Sequence, residues 1–516
     1  MIKYISLFIC LLLFSCTNIE KQEKTSELGT ANLEVTGSPE AKVDFEKGLL
    51  LLYSFEYEDS REAFSAAMQK DSSMAMAYWG VAMTYNHPLW RTQLNDSAEA
   101  ILKLREEANA VAGSELESDF LNSLDILYAD GETKENRDKN YAAYFEKLTE
   151  KYPNNQEVAA FYSLALLGSV PDGRDEQTYG KAGKVASEIL ETNPNHPGAL
   201  HYVIHAYDDP RHAEMAMDAA NAYAKVAPDA SHALHMPSHI FIAKGMWDKV
   251  IASNIDAYQA SVDRMERKGL KDGARSFHAY SWLQYAYLQK GNFAEAEKML
   301  TAMQDYLKND PTKGTRAYML DMKGQYLIGT EAWNSPFTNI RVDVSDLNIV
   351  NHAKRSFQDA MVAFKNNDTG KIDSLIASLD DDIRRQELYL DTVDFKLCLP
   401  TQRSAPSPSD IAGTKAILLQ IKALREWSEG NSSDTEKYIV QSAATADTLD
   451  FSYGPPEIQK PVHEFYADWL MTQEQYNKAA IEYEKALEDA PGRRLSEQGL
   501  AKAKKSIDTS TLAVID

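Results

Sequence analysis

Small and aromatic residues recur along the chain at the spacing of paired amphipathic helices. The clearest segments are residues 48–67, 280–296 and 476–491, with weaker ones at 200–228 and 234–257. Further helical hairpins are predicted near 74–128, 138–168 and 412–446. Alternating patterns typical of strands are nearly absent, and Ala, Leu, Glu and Lys dominate. The pattern predicts roughly six to nine stacked helical hairpins.

Two histidine pairs repeat at a fixed distance in the middle of the chain. His201 and His205 are spaced i, i+4, and His235 and His239 follow 34 residues later with the same spacing. Each pair shares one face of a helix. Thirty-four residues is the period of a tetratricopeptide repeat, a helix–turn–helix unit that stacks into a solenoid. The predicted fold is therefore all-α, a helical-repeat solenoid of the tetratricopeptide (TPR) type.

Three segments interrupt the repeat. Residues 264–275 insert 12 residues between two hairpins, 331–348 have no helical period, and 389–411 contain three prolines. Insertions of this kind usually form loops on one side of a solenoid. Because the composition does not change along the rest of the chain, we predict one continuous domain over 41–505 and a C-terminal tail over 506–516.

The N-terminus has the features of an export signal. Lys3 precedes a short apolar run, and Leu13 to Cys16 resembles the lipobox of a bacterial lipoprotein. The run is too short to span a bilayer. We expect residues 1–16 to be a signal peptide, Cys16 to carry palmitate and other acyl chains, and 17–40 to form a flexible polar tether. A plain secretion signal with a chance cysteine is the alternative. Lipid anchoring predicts a location in the cell envelope, at the outer membrane.

The composition excludes some classes of binding partner and shows how the fold can be stabilised. The formal net charge is −23 and no basic run occurs, so nucleic acid is not an expected partner. Only three cysteines exist, at 10, 16 and 398, so no disulfide framework is available. A chain of 516 residues is long enough to be stabilised by burial alone.

Several phrases resemble an uncharacterised family of secreted bacterial TPR lipoproteins. The most specific are HPGALHYVIHAYDDP at 196–210 and HALHMPSHIF at 232–241, which match the patterns HPGxxHYxIHAYDDP and HMPSHIF. Similar phrases at 77–90, 159–168, 278–291 and 453–470 extend the resemblance over nearly the whole mature chain. The resemblance implies a helical-repeat fold and export, and it implies no activity.

The first helix of each hairpin lines the concave groove of such a solenoid, so the histidine pairs are predicted to face a ligand there. Side chains from neighbouring first helices, whose axes lie about 8–10 Å apart, can reach one ion. Imidazole and carboxylate suit zinc, copper, iron or nickel, with zinc or copper the main candidates. The predicted metal ligands are His201, His205, His235, His239, Asp208 and Asp209, and the predicted ligand-binding residues are His196, His232, His278 and Tyr202.

Three functions remain open for such a groove. The histidines could bind a transition metal, contact a small ligand or peptide directly, or pack on aromatic neighbours as structural residues. The chain could accordingly be a receptor with a histidine-rich site, a scaffold for a protein partner without metal, or a metal-dependent enzyme with Asp208 or Asp209 as general base. We expect no catalysis. The turn at 453–456 and the residues around Trp90 are interpreted as structural.

Overall fold

The computed structural model describes residues 27–390, 406–451 and 453–513. Cys16 and the rest of the predicted signal lie outside the described residues. The helices of the first half are α1 (Pro39–Tyr53), α2 (Tyr57–Lys70), α3 (Ala75–Met83), α4 (Asn95–Glu107), α5 (Glu115–Leu127), α6 (Lys134–Lys151), α7 (Gln156–Ser169), α8 (Glu176–Leu190), α9 (Pro197–Ala206) and α10 (Met217–Val226). They are followed by α11 (Ser231–His235), α12 (Pro237–Ala243), α13 (Trp247–Lys268), α14 (Phe277–Gln289), α15 (Phe293–Asn309), α16 (Lys313–Thr330), α17 (Ile349–Lys365) and α18 (Thr369–Leu390). The last helices are α19 (Pro408–Ser428), α20 (Ser432–Ala446), α21 (Val462–Thr472), α22 (Tyr476–Asp489) and α23 (Arg494–Ala513).

Shorter elements lie between these helices. Three 3₁₀ helices cover Ala213–Ala216, Asp272–Ala274 and Pro336–Asn339. Strands β1 (Asn86–His87) and β2 (Thr92–Gln93) form a small antiparallel hairpin. The predicted all-α solenoid of the TPR type is confirmed, because successive helices pair as antiparallel hairpins that stack on their neighbours. None of the helices in the described ranges combines the length and apolar character needed to cross a membrane.

The hairpin α1–α2 shows why small and aromatic positions define the repeat. Ser38 caps α1 by accepting from the backbone N–H of Ala41, and Pro39 occupies the first helical turn. A Cβ atom placed on Gly48 would lie 2.7 Å from the Phe64 ring. Glycine therefore allows the ring of α2 to pack directly on the backbone of α1, which is the contact that the small–aromatic pattern encodes.

The segment that precedes α1 is ordered, in contrast to the flexible tether predicted for 17–40. Its Leu28 and Leu33 are buried. The backbone N–H of Thr30 donates to the Asn195 carbonyl at 2.9 Å, and the N–H of Asn32 donates to the Glu157 carboxylate at 2.7 Å. Residues 27–38 therefore form part of the fold and link α1 to the first turn of α7 and to the turn that precedes α9.

The predicted insertion at 264–275 does not form a loop over its whole length. Its first five residues extend α13, which ends at Gly269 in the left-handed conformation with φ 64°. Arg264 and Lys268 on this extension pair with Asp59 of α2. The added turn of helix thus ties the third quarter of the chain to the first hairpin. The segment 331–348 is non-helical as predicted, apart from one 3₁₀ turn.

Candidate metal centre

Three successive hairpins each contribute histidines from their first helix to one place. We call the six residues the histidine cluster: His201 and His205 of α9, His232, His235 and His239 of α11–α12, and His278 of α14. The ring centroids of His205 and His239 lie 5.2 Å apart, and those of His235 and His278 lie 4.5 Å apart. The structure therefore brings the two sequence pairs together and adds two further imidazoles.

A proline sets the geometry of the middle hairpin of the cluster, which carries His235 and His239. Pro237 cannot donate a backbone hydrogen bond, and it divides the helix into α11 and α12 at Met236. His235 and His239 still face each other across this break, with ring centroids 5.1 Å apart. In α9 the position one period before Pro237 is Val203, and the proline of that helix, Pro197, lies in its first turn, so the helix that carries His201 is unbroken.

The histidines are buried, whereas an open groove was predicted. His201, His235 and His239 are at most 1% exposed and His205 is 6% exposed. His232 and His278 are half-buried. Four of the six imidazoles therefore lie inside the protein, where a partner as large as a peptide cannot contact them in this conformation.

Aromatic side chains cover the cluster. Phe55, in the turn between α1 and α2, lies 4.3 Å from the His201 ring between centroids. Trp282 of α14 lies 4.7 Å from the His235 ring, and Tyr453 lies 4.9 Å from the His239 ring. Gly454 is required beside this cover, because a Cβ there would lie within 3 Å of the Trp282 indole. The turn at 453–456, interpreted from sequence as only structural, is thus part of the wall of the site.

Asp208 accepts hydrogen bonds from two rings of the cluster. Its Oδ2 accepts from Nδ1 of His205 at 3.3 Å and from Nδ1 of His239 at 3.0 Å. Its Oδ1 accepts from the Arg174 guanidinium at 2.7 Å. Burial would raise the pKa of Asp208, but the hydrogen bonds from both histidines and the charge of Arg174 hold it well below its usual value. Asp208 is therefore an ionised acceptor, and the Nδ1 atoms of both rings carry protons.

Two further rings have the same tautomer. Nδ1 of His201 donates to the Tyr53 carbonyl at 2.7 Å. Nδ1 of His235 lies 2.7 Å from Oδ1 of Asn254, whose amide nitrogen donates to the Val250 carbonyl. Since Oδ1 can only accept, Nδ1 of His235 must donate. In their neutral form, all four of these rings carry a lone pair on Nε2.

These Nε2 atoms point into two groups of three imidazoles. In the first group, the Nε2 atoms of His201, His205 and His232 are buried and have no hydrogen-bond partner among the described residues. In the second, Nε2 of His235 lies 3.2 Å from Nε2 of His239, with His278 beside them. Within each group, one ring nitrogen from every residue lies within 4.8 Å of the others.

The surroundings favour the uncharged form of four imidazoles of the cluster. Burial, reinforced by neighbouring imidazoles, lowers the pKa of His201, His232 and His235 well below 6.5. Burial also lowers the pKa of His239, although its bond to Asp208 opposes the shift. Neutral imidazole is the form that coordinates metal ions.

Three residues predicted for the site have other positions. The Asp209 carboxylate contacts His212 at 2.8 Å and Arg174 at 3.3 Å, neither of which belongs to the histidine cluster. Nδ1 of His196 caps α9, and its Nε2 contacts Glu157. The Tyr202 side chain is fully buried, with its ring centroid 6.4 Å from that of Tyr53 and 5.6 Å from that of His201. Helix rotation explains the position of Tyr202, which follows His201 and so lies about 100° away around the axis, whereas His196 and Asp209 lie outside α9.

Sequence reasoning missed Arg174, Asn254 and the aromatic cover. Arg174 could have been predicted from the repeat, because it precedes its partner Asp208 by 34 residues, which is one period. The cover had no such signal: Phe55 and Tyr453 approach the cluster from segments about 150 and 210 residues away in sequence. Only the superhelical path of the chain brings them there.

No protein-family model matches the chain, and no curated protein matches it. Among solved structures, the Cut9–Hcn1 assembly is similar over 92% of this chain and 78% of that one, at 15% identity and a TM-score of 0.35. The TPR domain of P58(IPK) is similar over 91% and 99%, at 14% identity and 0.21. Yeast Tom70 is similar over 92% and 96%, at 11% identity and 0.31. The class of fold is defined by the stacked hairpins themselves.

Proposed function

We propose that this TPR-type solenoid binds transition-metal ions in the histidine cluster, at a first centre formed by His201, His205 and His232 and a second formed by His235, His239 and His278. Three neutral imidazoles with one position left for water or another ligand are a donor set that zinc accepts and that also suits copper. The described donors include no thiolate, so nothing selects Cu(I).

The contact between His235 and His239 carries the proposal. Both rings donate through Nδ1, so two lone pairs face each other across 3.2 Å. That arrangement is repulsive unless a cation lies between them. A proton would create a buried charge, which the lowered pKa values of both rings disfavour. Two nitrogens bound to one tetrahedral ion at about 2.0–2.1 Å lie about 3.3 Å apart, which matches the observed separation.

The first centre is supported by a different observation. Three buried ring nitrogens without partners in one place are costly, because each forfeits the hydrogen bond it would make in water. A shared ion would remove that cost at all three nitrogens.

Asp208 supports the rings without binding the ion itself. A carboxylate that accepts from Nδ1 fixes the orientation of a metal-bound imidazole and increases its basicity. Asp208 does this for one ring of each centre, and Arg174 balances its charge. Its oxygens accept from three donors, so we assign Asp208 this supporting role; the role of metal ligand predicted for it stays the alternative, because Asp208, His205 and His239 each offer an atom within 4.8 Å of the others.

The alternatives from the sequence have less support at this site. A peptide partner would need an open groove, which Phe55 and Tyr453 fill. An enzyme would need a general base, but Asp208 is engaged by Arg174 and its pKa is well below its usual value. A scaffold function would therefore use another surface of the solenoid.

Metal titration tests the proposal. Chelator-treated protein is titrated with zinc and with copper(II), and its metal content is measured by mass spectrometry. We expect about two ions per chain for the wild type and about one for His201→Ala and for His235→Ala. His352→Ala is the matched control, because this histidine bonds Asp382 and lies outside the cluster, and it should bind as the wild type does. Absence of uptake by the wild type, or unchanged uptake in both cluster variants, would overturn the proposal.

We also propose that the protein is anchored to the cell envelope through lipid on Cys16. The support is the lipobox-like sequence at 13–16, which lies outside the described residues. Two or three acyl chains hold a protein stably on a membrane at ~0.8 kcal/mol per buried CH₂. In a membrane fractionation, Cys16→Ala should leave the membrane fraction. Cys398→Ala, which changes the other cysteine of the mature chain, should stay in it. Equal membrane partitioning of the two variants would contradict the anchor.

A further inference from the structure

The two proposed centres of the histidine cluster lie against each other. The ring centroids of His205 and His239, one from each centre, are 5.2 Å apart. This is about as short as the 4.9 Å between His201 and His205 within the first centre. His232 and His235 form a second contact between the centres, at 6.0 Å. Because each ion would lie about 2 Å from a nitrogen of every ring that binds it, the two ions would be close neighbours.

One carboxylate oxygen aligns the facing rings of the two centres. Oδ2 of Asp208 accepts from Nδ1 of His205 and from Nδ1 of His239, and a nitrogen of each ring lies within 4.8 Å of a nitrogen of the other. Nε2 lies on the far side of an imidazole ring from Nδ1, so both metal-binding nitrogens point away from Asp208. The ions would therefore lie on the same side of this carboxylate, next to each other.

The described donors leave the charge of two such ions uncompensated. The six imidazoles bind as neutral groups and contribute no negative charge. The carboxylate of Asp208 is already paired with Arg174 at 2.7 Å. Two divalent ions close together in a buried site repel each other strongly, and burying unpaired charge is costly. An anion bound between the ions would reduce both penalties at once.

Aromatic rings limit the size of that anion. Phe55 lies 4.3 Å from the His201 ring of the first centre, and Tyr453 lies 4.9 Å from the His239 ring of the second. A ligand that reaches both ions without displacing these rings must consist of only a few atoms. Hydroxide meets this condition and is available from water, which loses a proton to solvent more readily when a metal ion binds it.

We propose that the two centres form one dinuclear site in which a single small anion, hydroxide in the resting protein, bridges both metal ions. The proposal rests on the metal binding proposed above and adds a ligand that the two centres bind together. In paired metal sites of this kind the ions are about 3.5–4 Å apart, a separation that one small group can span.

Copper(II) and azide are the probes that test the bridge. The chelator-treated full chain is loaded with copper(II), and its copper content is measured by mass spectrometry. Electron paramagnetic resonance then measures the signal of isolated copper(II) before and during a titration with azide, a small anion that replaces hydroxide. A shared anion couples the two unpaired spins, so we expect this signal to fall well below the copper content and azide to saturate at about one per two copper ions.

Variants that keep one centre are the controls. His235→Ala and His201→Ala each leave a single ion, so the signal of isolated copper(II) should equal their copper content with and without azide. His352→Ala changes a histidine outside the cluster and should behave as the wild type does.

The wild type alone decides the outcome, so the test does not depend on whether a single-centre variant folds. If the wild type binds about two copper ions but keeps the full signal of isolated copper(II) with azide present, or takes up about two azide ions, the bridge is wrong and metal binding stands. If it takes up no copper, both proposals fail.

Discussion

The ion pair between Arg174 and Asp208 should be essential to the stability of the histidine cluster. Their side chains are 9% and 1% exposed, and their atoms approach to 2.7 Å. Removing one partner of a buried pair costs about 3–5 kcal/mol, because the other charge stays buried without compensation. Asp208 would still accept from His205 and His239, so we expect Arg174→Met to cost about 3 kcal/mol, at the lower end of that range.

Hydrogen exchange measures this loss where it occurs. In a repeat protein, damage spreads mainly to neighbouring repeats, so a single global unfolding midpoint would average it away. In metal-free protein, a loss of about 3 kcal/mol should speed exchange of amides in α9 and α12 by about 150-fold. Amides of α22 should exchange at the wild-type rate.

Arg425→Met is the matched control. Arg425 pairs with Asp373, but their side chains are 29% and 55% exposed, and such pairs contribute at most about 1 kcal/mol. Its own helix should therefore exchange less than about sixfold faster. If Arg174→Met changes α9 and α12 no more than Arg425→Met changes α19, Asp208 does not depend on Arg174, and the account of the charge balance is wrong.

Three further predictions follow from neighbouring features. Asp208→Asn should weaken zinc binding by about 10- to 100-fold in competition with a chromophoric chelator, and an unchanged affinity would remove Asp208 from the site. Burial lowers the pKa of His463, but the contacts with Glu482 and Asp447 raise it above 6.5. The two carboxylates therefore stabilise the folded protein fully below pH 6.5, and this contribution is lost as pH rises through the pKa of folded His463. The excess thermal stability of the wild type over His463→Gln should therefore shrink from pH 6 to pH 9, and a constant difference would contradict the assignment. Ala479→Trp should overpack the contact of α21 with α22 and lower the free energy of unfolding there by ~1–3 kcal/mol. Hydrogen exchange should then be faster in α21–α23 than in the wild type and unchanged in α9–α14, and a uniform increase over the whole protein would argue against a solenoid.

The repeat could be predicted because its physical cause is local. Small residues such as Gly48 and Ala479 are needed wherever the two helices of a hairpin cross, so their spacing is written in the sequence. The approach of His205 to His239 follows from the same period. Whether these imidazoles face solvent depends instead on Phe55 and Tyr453, whose approach is set by the curvature of the whole solenoid.

The last hairpin shows that a position facing the groove need not be exposed. From the repeat pattern we predict Glu464 at the groove-facing fifth position of its first helix and His463 at the buried fourth. In the structure Glu464 is fully buried and pairs with Arg493 and Lys460, whereas His463 is half-buried between two carboxylates. His201 and His235, at the same position of their repeats, are buried as well. Burial of Glu464 is possible because Lys460 and the distant Arg493 compensate its charge.

The distribution of the six imidazoles over three consecutive hairpins has a mechanical consequence. A solenoid behaves as a spring whose twist and curvature are the sum of small rotations between neighbouring repeats. Wherever apolar packing alone sets a rotation, the spring can stretch or bend a little at that joint. Ions shared by α9, α11–α12 and α14 would instead fix the distances across two adjacent joints, because metal–nitrogen bonds vary little in length. The middle of the molecule would then be a stiff segment, and any change in the pitch of the spring would have to come from the hairpins on either side.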